Sequence, residues 1–180
     1  GAGLEPAVLG AKEGLALSNG TNLMSALLSL ALVDAAMLCD TADVVGAMSL
    51  EALQGVRDAF DPRIHEARGQ AGQMHVAANI RALTQGSTLM WHDTISNGVE
   101  KAAKGKVQDA YALRCMPQVH GPVRDAAGYV RGVLMAELNG ASDNPLVFGD
   151  GDESEYAVLS GGNFHGAPLS VAGDFLATAV

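Results

Sequence analysis

The sequence predicts an all-α protein, a long-helix bundle with at most one small β-hairpin. Three observations lead there. Hydrophobic residues make up 48% of the 180 but aromatics only 4%, so the apolar content is mostly Ala, Leu and Val, which suits packed helices better than an aromatic-rich β-sandwich. Two segments, 21–48 and 118–138, carry apolar patterns of helical length. Only "NPLVF" (144–148) and "YAVLS" (156–160) read as strands, and they flank an acidic, glycine-containing turn as the arms of a hairpin would. The length fits one helical region, 1–180.

Taken in order, residues 8–18 read as a short amphipathic helix or turn that ends at Asn19-Gly20. Thr21 or Asn22 can cap the next helix, which is apolar almost all round: Leu23, Leu27 and Leu30 on one face, Met24, Leu28, Leu32 and Ala35 on others. Asp34, Asp40 and Asp43 are expected to leave its apolar run too short for a membrane span, so deep burial is expected instead. A 180-residue chain has little room to surround such a helix, which implies a larger bundle built with other chains or with further parts of its own chain. "SLEALQGVRD" (49–58) predicts a separate short helix with Ser49 as its cap, and "FDPRIHEARGQAG" (60–72) predicts a loop punctuated by Pro and Gly. Residues 73–85 resume helical spacing with Val76, Ile80 and Leu83 in one stripe and Gly86 as the stop. The polar stretch 91–107 reads as a surface excursion. Val119, Val123, Ala126, Val130, Val133, Leu134 and Leu138 keep the 3.6-residue period of a long helix. Pro168 opens a last helix with Ala172, Phe175, Leu176 and Ala179 as its buried stripe.

Charge and cysteine usage exclude several function classes. A formal net charge of −9 repels a nucleic-acid duplex or an anionic membrane. Cys39 and Cys115 match no zinc or redox spacing, and no secretory leader is visible, so a reducing, cytoplasmic setting is expected. His65, His75, His92, His120 and His165 are scattered without an HExxH or a carboxylate cluster, so no metal site is expected.

What remains is a set of polar residues in unusual settings. Gln108, Tyr111 and Arg114 are spaced i, i+3, i+6, which on a helix makes a slowly drifting stripe. It is either a solvated face or one wall of a cleft, where the guanidinium could fork onto a carboxylate. "SGGNFHG" (160–166) surrounds Asn163 and Phe164 with glycines, so Phe164 is either an aromatic wall on a tight turn or a core side chain at a hairpin exit. "ASDNP" (141–145) is a turn containing Asn144, and Asn19 in "SNGTN" is a capping residue unless the site uses it.

In this order, "KEGLALSNGT", "SLEAL", "FDPRIHEARGQAGQ", "VQDAYALRCMPQVHG", "ELNGASDNPLVF" and "SGGNFHG" resemble the central part of the histidine ammonia-lyases, within the wider family of phenylalanine and tyrosine ammonia-lyases and related aminomutases. The resemblance spans nearly the whole chain, and "PQVHG" and "NFHG" are closer to the histidine enzymes. It implies a long-helix bundle assembled as a homotetramer, with each active site built from several subunits. It implies an amino-acid substrate and a backbone-derived methylidene-imidazolone electrophile in the complete enzyme. On that resemblance Arg114 would hold the substrate carboxylate, and Tyr111, Asn19 and Gln108 would stand around the electrophile and the amine. Phe164 and, less directly, Asn144 would line the ring pocket. The sequence contains no Ala-Ser-Gly triplet, the source of that electrophile, so no cofactor is expected in this chain and it reads as an excised central piece. Two other readings stay open: part of a phenylalanine or tyrosine ammonia-lyase or aminomutase, and a non-catalytic helical assembly module.

Overall fold

The computed structural model describes residues 3–91, 108–149 and 156–180. Among them are seven helices and one two-stranded sheet. The helices are α1 (Glu13–Asn19), α2 (Asn22–Ala52), α3 (Pro62–Arg68), α4 (Ala71–Leu83), α5 (Tyr111–Arg114), α6 (Met116–Leu138) and α7 (Ala167–Ala179), with a 3-10 turn at Arg57–Phe60. The hairpin pairs β1 (Leu146–Gly149) with β2 (Tyr156–Leu159) in antiparallel register, Leu146 opposite Leu159. The all-α expectation and its hairpin both hold. The surface excursion expected at 91–107 falls, beyond Trp91, outside the described residues.

The 31-residue α2 is the axis of the fold. At 1.5 Å per residue it is about 46 Å long. Contacts along it fix the direction of its neighbours. Met116 meets α2 at Gly46, where a Cβ would lie 2.5 Å from the Met116 sulfur. Arg124 Nη2 donates to Asp43 Oδ2 at 2.6 Å and to Asp40 Oδ1 at 2.9 Å, and Thr21 Oγ1 donates to Glu137. Helix α6 therefore runs antiparallel to α2 over nearly its whole length. Helix α7 starts beside Thr21 and Met24, which flank Gly166, and packs Ala172 and Leu176 with Ala35 and Val130. A second core gathers Ala47, Leu50, Phe60, Val76, Ile80, Met90 and Met116 at the other end of α2. Helices α4 and α6 cross at backbone contact: a Cβ on Gly72 would lie 2.1 Å from Gly121 O, so neither glycine has room for a side chain. Asp125 of α6 accepts from Gly72 N at 2.9 Å and so satisfies a free N–H in the first turn of α4.

Three local expectations are corrected. Residues 49–52 continue α2; no new helix starts there. Ser49 Oγ donates to Val45 O, one turn back in the same helix, so Ser49 is interior and caps nothing. The supposed loop at 60–72 contains α3 and the start of α4. Pro62 occupies the first turn of α3, where its missing N–H costs nothing, and Gly69 ends the helix at φ +76°. Asp61 caps α3 through Arg63 N, and the Arg63 side chain hydrogen-bonded to it pushes its carboxyl down to about 2. Thr21 does occupy the cap position of α2, yet its hydroxyl reaches Glu137 and makes no capping bond.

The expected deep burial of α2 is not supplied by the described residues. Leu23, Leu27, Leu30, Val33 and Met37 are each at least 60% exposed and form a stripe along its N-terminal half. Nor do its carboxylates cut the apolar run as expected: an 18-residue window has a mean hydropathy of 1.8, which by length and composition alone is enough to cross a membrane. Only Asp34 interrupts residues 22–39. Asp43, in contrast, is buried against Arg124, Asn79 and His120, an anchoring that belongs to a helix packed in protein.

Candidate functional site

The motif residues divide into two groups at opposite ends of α2. The first is Gln108, Tyr111 and Arg114. Gln108 lies outside any helix and α5 is one turn long, so the expected three-residue stripe reduces to Tyr111 and Arg114. The Arg114 guanidinium stacks over the Tyr111 ring, its carbon 4.6 Å from the ring centroid, a cation–π contact. Arg114 Nε donates to Asp109 O at 2.8 Å, which fixes the plane of the guanidinium. Tyr111 is 73% exposed. Asp109 sits inside the same "VQDAYALRC" motif, where no spacing marks it as part of a site. Only 3% of it is exposed, and its Oδ2 accepts from Val56 N at 2.6 Å. This group therefore stands beside the C-terminal end of α2, whose last turn leads through Gly55 to Val56.

The second group is Asn19, Asn144 and Phe164, at the N-terminal end of α2. Asn19 is the last residue of α1 and is exposed. Gly20 follows with its Cα against Ser142 O: a Cβ there would approach that oxygen to 3.0 Å. Lys12 pairs with Asp143, whose carboxyl is held below its ordinary range by the Lys12 hydrogen bond. The two turns named from the sequence are zipped together. Asn144 Oδ1 accepts from Gly161 N at 2.7 Å and from Ser160 Oγ at 3.1 Å, and Asn163 Nδ2 donates to Ala141 O at 3.3 Å. Asn144 thus ties one turn to the other, while Phe164 is 39% exposed on the tip of the second. A polar cavity of about 270 Å³ lies here, lined by Glu137, Ser142, Asn163 and His165 among others. Glu137 was also missed; it reaches across to Thr21, two residues after Asn19.

One chain therefore does not bring its motif residues together. The length of α2, about 46 Å at 1.5 Å per residue, separates the two groups, far beyond the reach of one amino acid. A larger apolar groove of about 900 Å³ between α2 and α7, lined by Met24, Leu27, Ala31, Leu169, Ala177 and Val180, contains none of the motif residues. Its walls are mostly apolar, with Asp34, Thr41, Ser170 and Asp174 among them, and suit packing. Among the described residues, no three His, Cys, Asp or Glu side chains converge as metal ligands.

The whole chain, residues 1–180, matches the family described as aromatic amino acid lyase. It is 53% identical over 178 residues to a histidine ammonia-lyase of Anaeromyxobacter dehalogenans, covering 99% of this chain and 33% of that protein. Among solved structures it is similar to the histidine ammonia-lyase from Trypanosoma cruzi at 44% identity and a TM-score of 0.77, covering 98% of this chain and 30% of the other. It is also similar to the tyrosine aminomutase from Streptomyces globisporus at 39% identity and a TM-score of 0.85, covering 99% and 35%. The chain thus spans about a third of the length of the curated relatives it matches.

Proposed function

The chain belongs to the aromatic amino acid lyase family, and from that premise we propose that it is the central part of a histidine ammonia-lyase. The reaction is the non-oxidative elimination of ammonia from L-histidine to give urocanate. The observation that carries this reading is the 53% identity to a histidine ammonia-lyase over 99% of the chain, against 39% to the tyrosine aminomutase.

The chemistry assigned to the chain's own residues follows from their placement. With Nε of Arg114 committed to Asp109 O, a substrate carboxylate would be met end-on by the two terminal guanidinium nitrogens. Tyr111 beneath it would keep that guanidinium in place through its ring and offer the phenol for proton transfer. Asn19 would present its amide to the amine, and Phe164 an aromatic edge to the imidazole. The electrophile implied by the family, methylidene-imidazolone, supplies the activation that makes the amine a leaving group. Its Ala-Ser-Gly precursor is absent from this sequence, so these 180 residues furnish partners for that group and not the group itself.

Because one chain holds the two groups about 46 Å apart by the length of α2, the same substrate can touch both only if they come from different subunits. We therefore place the complete enzyme as a homo-oligomer, a tetramer by family, with the open stripe of α2 in subunit contact. The test uses the full-length protein. Formation of urocanate from histidine, followed by ultraviolet absorbance, is expected, and turnover of tyrosine or phenylalanine in its place would overturn the substrate reading. Arg114→Met and Asn19→Ala subunits, each inactive alone, should regain part of the activity when reassembled together. No recovery in verified mixed oligomers would overturn the shared site.

A further inference from the structure

We propose that Asp109 is a positioning residue for the carboxylate-binding arginine, fastening α5 to the end of α2 and so setting the direction of the Arg114 guanidinium. Helix α5 has four residues and cannot hold its own shape without outside support. It is anchored by its own Leu113, packed against the core, and downstream by buried Met116. Upstream its support is Asp109. The carboxylate accepts from Val56 N at 2.6 Å, and the main-chain oxygen of the same residue accepts from Arg114 Nε at 2.8 Å. Asp109 thus links the end of α2 to the short helix that carries Arg114.

The fixed point is well built. Gly55 N donates to Leu50 O at 2.7 Å, Trp91 N donates to Gly55 O at 2.9 Å, and Arg57 N donates to Trp91 O at 2.8 Å, so Val56 sits in a parallel bridge with Trp91. Val56 is itself buried. Gly55 is required by closeness: a Cβ there would lie 2.6 Å from Leu50 Cδ2 and 3.3 Å from Asp109 Oδ2. A buried charge-assisted bond to a main-chain N–H is short-ranged and directional, so losing it frees the segment carrying Asp109 O, and with it the plane of the guanidinium. An arginine that can tilt still attracts an anion but loses the two parallel bonds that orient it.

The proposal rests on the histidine ammonia-lyase reading for its substrate, and its test separates the two. In the full-length protein, wild-type conversion of histidine to urocanate is measured first. Asp109→Ala is then expected to raise the KM for histidine at least about tenfold, as loss of a charge-assisted hydrogen bond would, while the inhibition constant of histamine, which lacks the carboxylate, changes less than about twofold. Asp109→Asn keeps an acceptor for Val56 N–H and should stay within about threefold of wild type on both ligands. Hydrogen exchange of peptides spanning 53–58 and 109–116 should accelerate about tenfold in Asp109→Ala and little in Asp109→Asn, since exchange reads the local opening. Parallel weakening of histidine and histamine, an Asn variant as damaged as the Ala variant, or unchanged exchange would each overturn the proposal. Should Asp109→Ala not fold, Val56→Pro removes the donor at a residue whose φ of −86° is close to proline's range. It should show the same loss confined to histidine, and equal loss for both ligands would overturn the proposal. If wild type makes no urocanate, the substrate reading fails, while the exchange measurement still decides whether Asp109 fastens α5.

Discussion

From Ala35 to Leu50, α2 buries Ala35, Cys39, Asp43, Gly46, Ala47 and Leu50, whereas from Asn22 to Asp34 it buries only Ser25 among the described side chains. The composition of the two halves is similar; their surroundings differ. The C-terminal half is covered by α4, by the start of α6 and by the 3-10 turn, which together close the core around Leu50, Phe60 and Ile80. The N-terminal half has the end of α6 and the start of α7 against it, and beyond them the open groove. An apolar helix is therefore no guide to its own burial. One half is completed by this chain, and the other presents Leu23, Leu27, Leu30 and Val33 outward. The residues proposed for the site follow the same division. Arg114 sits on the completed end, where its Nε donates to the main-chain oxygen of Asp109, while Asn19 sits on the incomplete end and is exposed.

The contrast can be broken most strongly at the buried ion network of the completed half. Arg124→Leu leaves the Asp43 carboxylate buried with, among the described residues, Asn79 Nδ2 at 2.8 Å and His120 Nδ1 at 3.2 Å as its remaining side-chain partners. Removing one partner of a buried pair should cost about 3–5 kcal/mol, read as a lowered urea midpoint. The second effect is on chemistry. Arg114→Lys keeps the charge and loses the planar fork, so catalysis of histidine by the full-length enzyme should fall at least about tenfold, with about 1.5–3 kcal/mol lost, and Arg114→Met should be worse. Histamine should bind both variants about as well as wild type, and a parallel loss would assign Arg114 to the fold of the site.

A third, smaller effect depends on pH. His65 is buried; its Nε2 meets Ala59 O at 3.2 Å and its Nδ1 meets Gln73 Nε2 at 2.9 Å. Those partners require a neutral ring with the proton on Nε2, and burial pushes its pKa below the ordinary histidine range. A depressed histidine pKa means that the unfolded chain binds the extra proton more readily. The stability it contributes is full above the ordinary value of about 6.5 and is lost as pH falls from there toward the folded value. The urea midpoint should drop between pH 8 and pH 5.5, and His65→Gln should flatten that drop. The smallest effect belongs to the open half. Leu27→Gln should change the stability of the folded chain by no more than about 0.5 kcal/mol, because Leu27 is already 60% exposed. Light scattering of the full-length protein should nevertheless show weaker assembly; unchanged assembly would remove the stripe from the subunit contact.

Much of the fold was legible in the sequence where a long local period speaks for itself: α2, α6, α7 and the hairpin. The errors came where one residue type has two meanings. Pro62 has the look of a breaker in the sequence, yet proline in the first turn begins a helix as readily as it ends one. Ser49 has the look of a cap, yet a serine hydroxyl also bonds one turn back inside a helix. Of the candidate site, the types of residue were legible and their supports were not. Asp109 and Glu137 act through partners 53 and 116 positions away, and no local spacing announces such bonds.

By itself the sequence determined the helical class, through periodicity and the scarcity of aromatics, and the family, through six ordered motifs, because both are properties of neighbouring residues. Tertiary structure alone decided which half of α2 is covered, that α5 hangs from Val56 through a buried carboxylate, and that Asn19 and Arg114 stand at opposite ends of a helix about 46 Å long. The physical reason is that motif order records what lies along the chain. Distance between motifs is set by which helices run antiparallel and where two glycines let them touch, and those contacts join residues that the sequence keeps far apart.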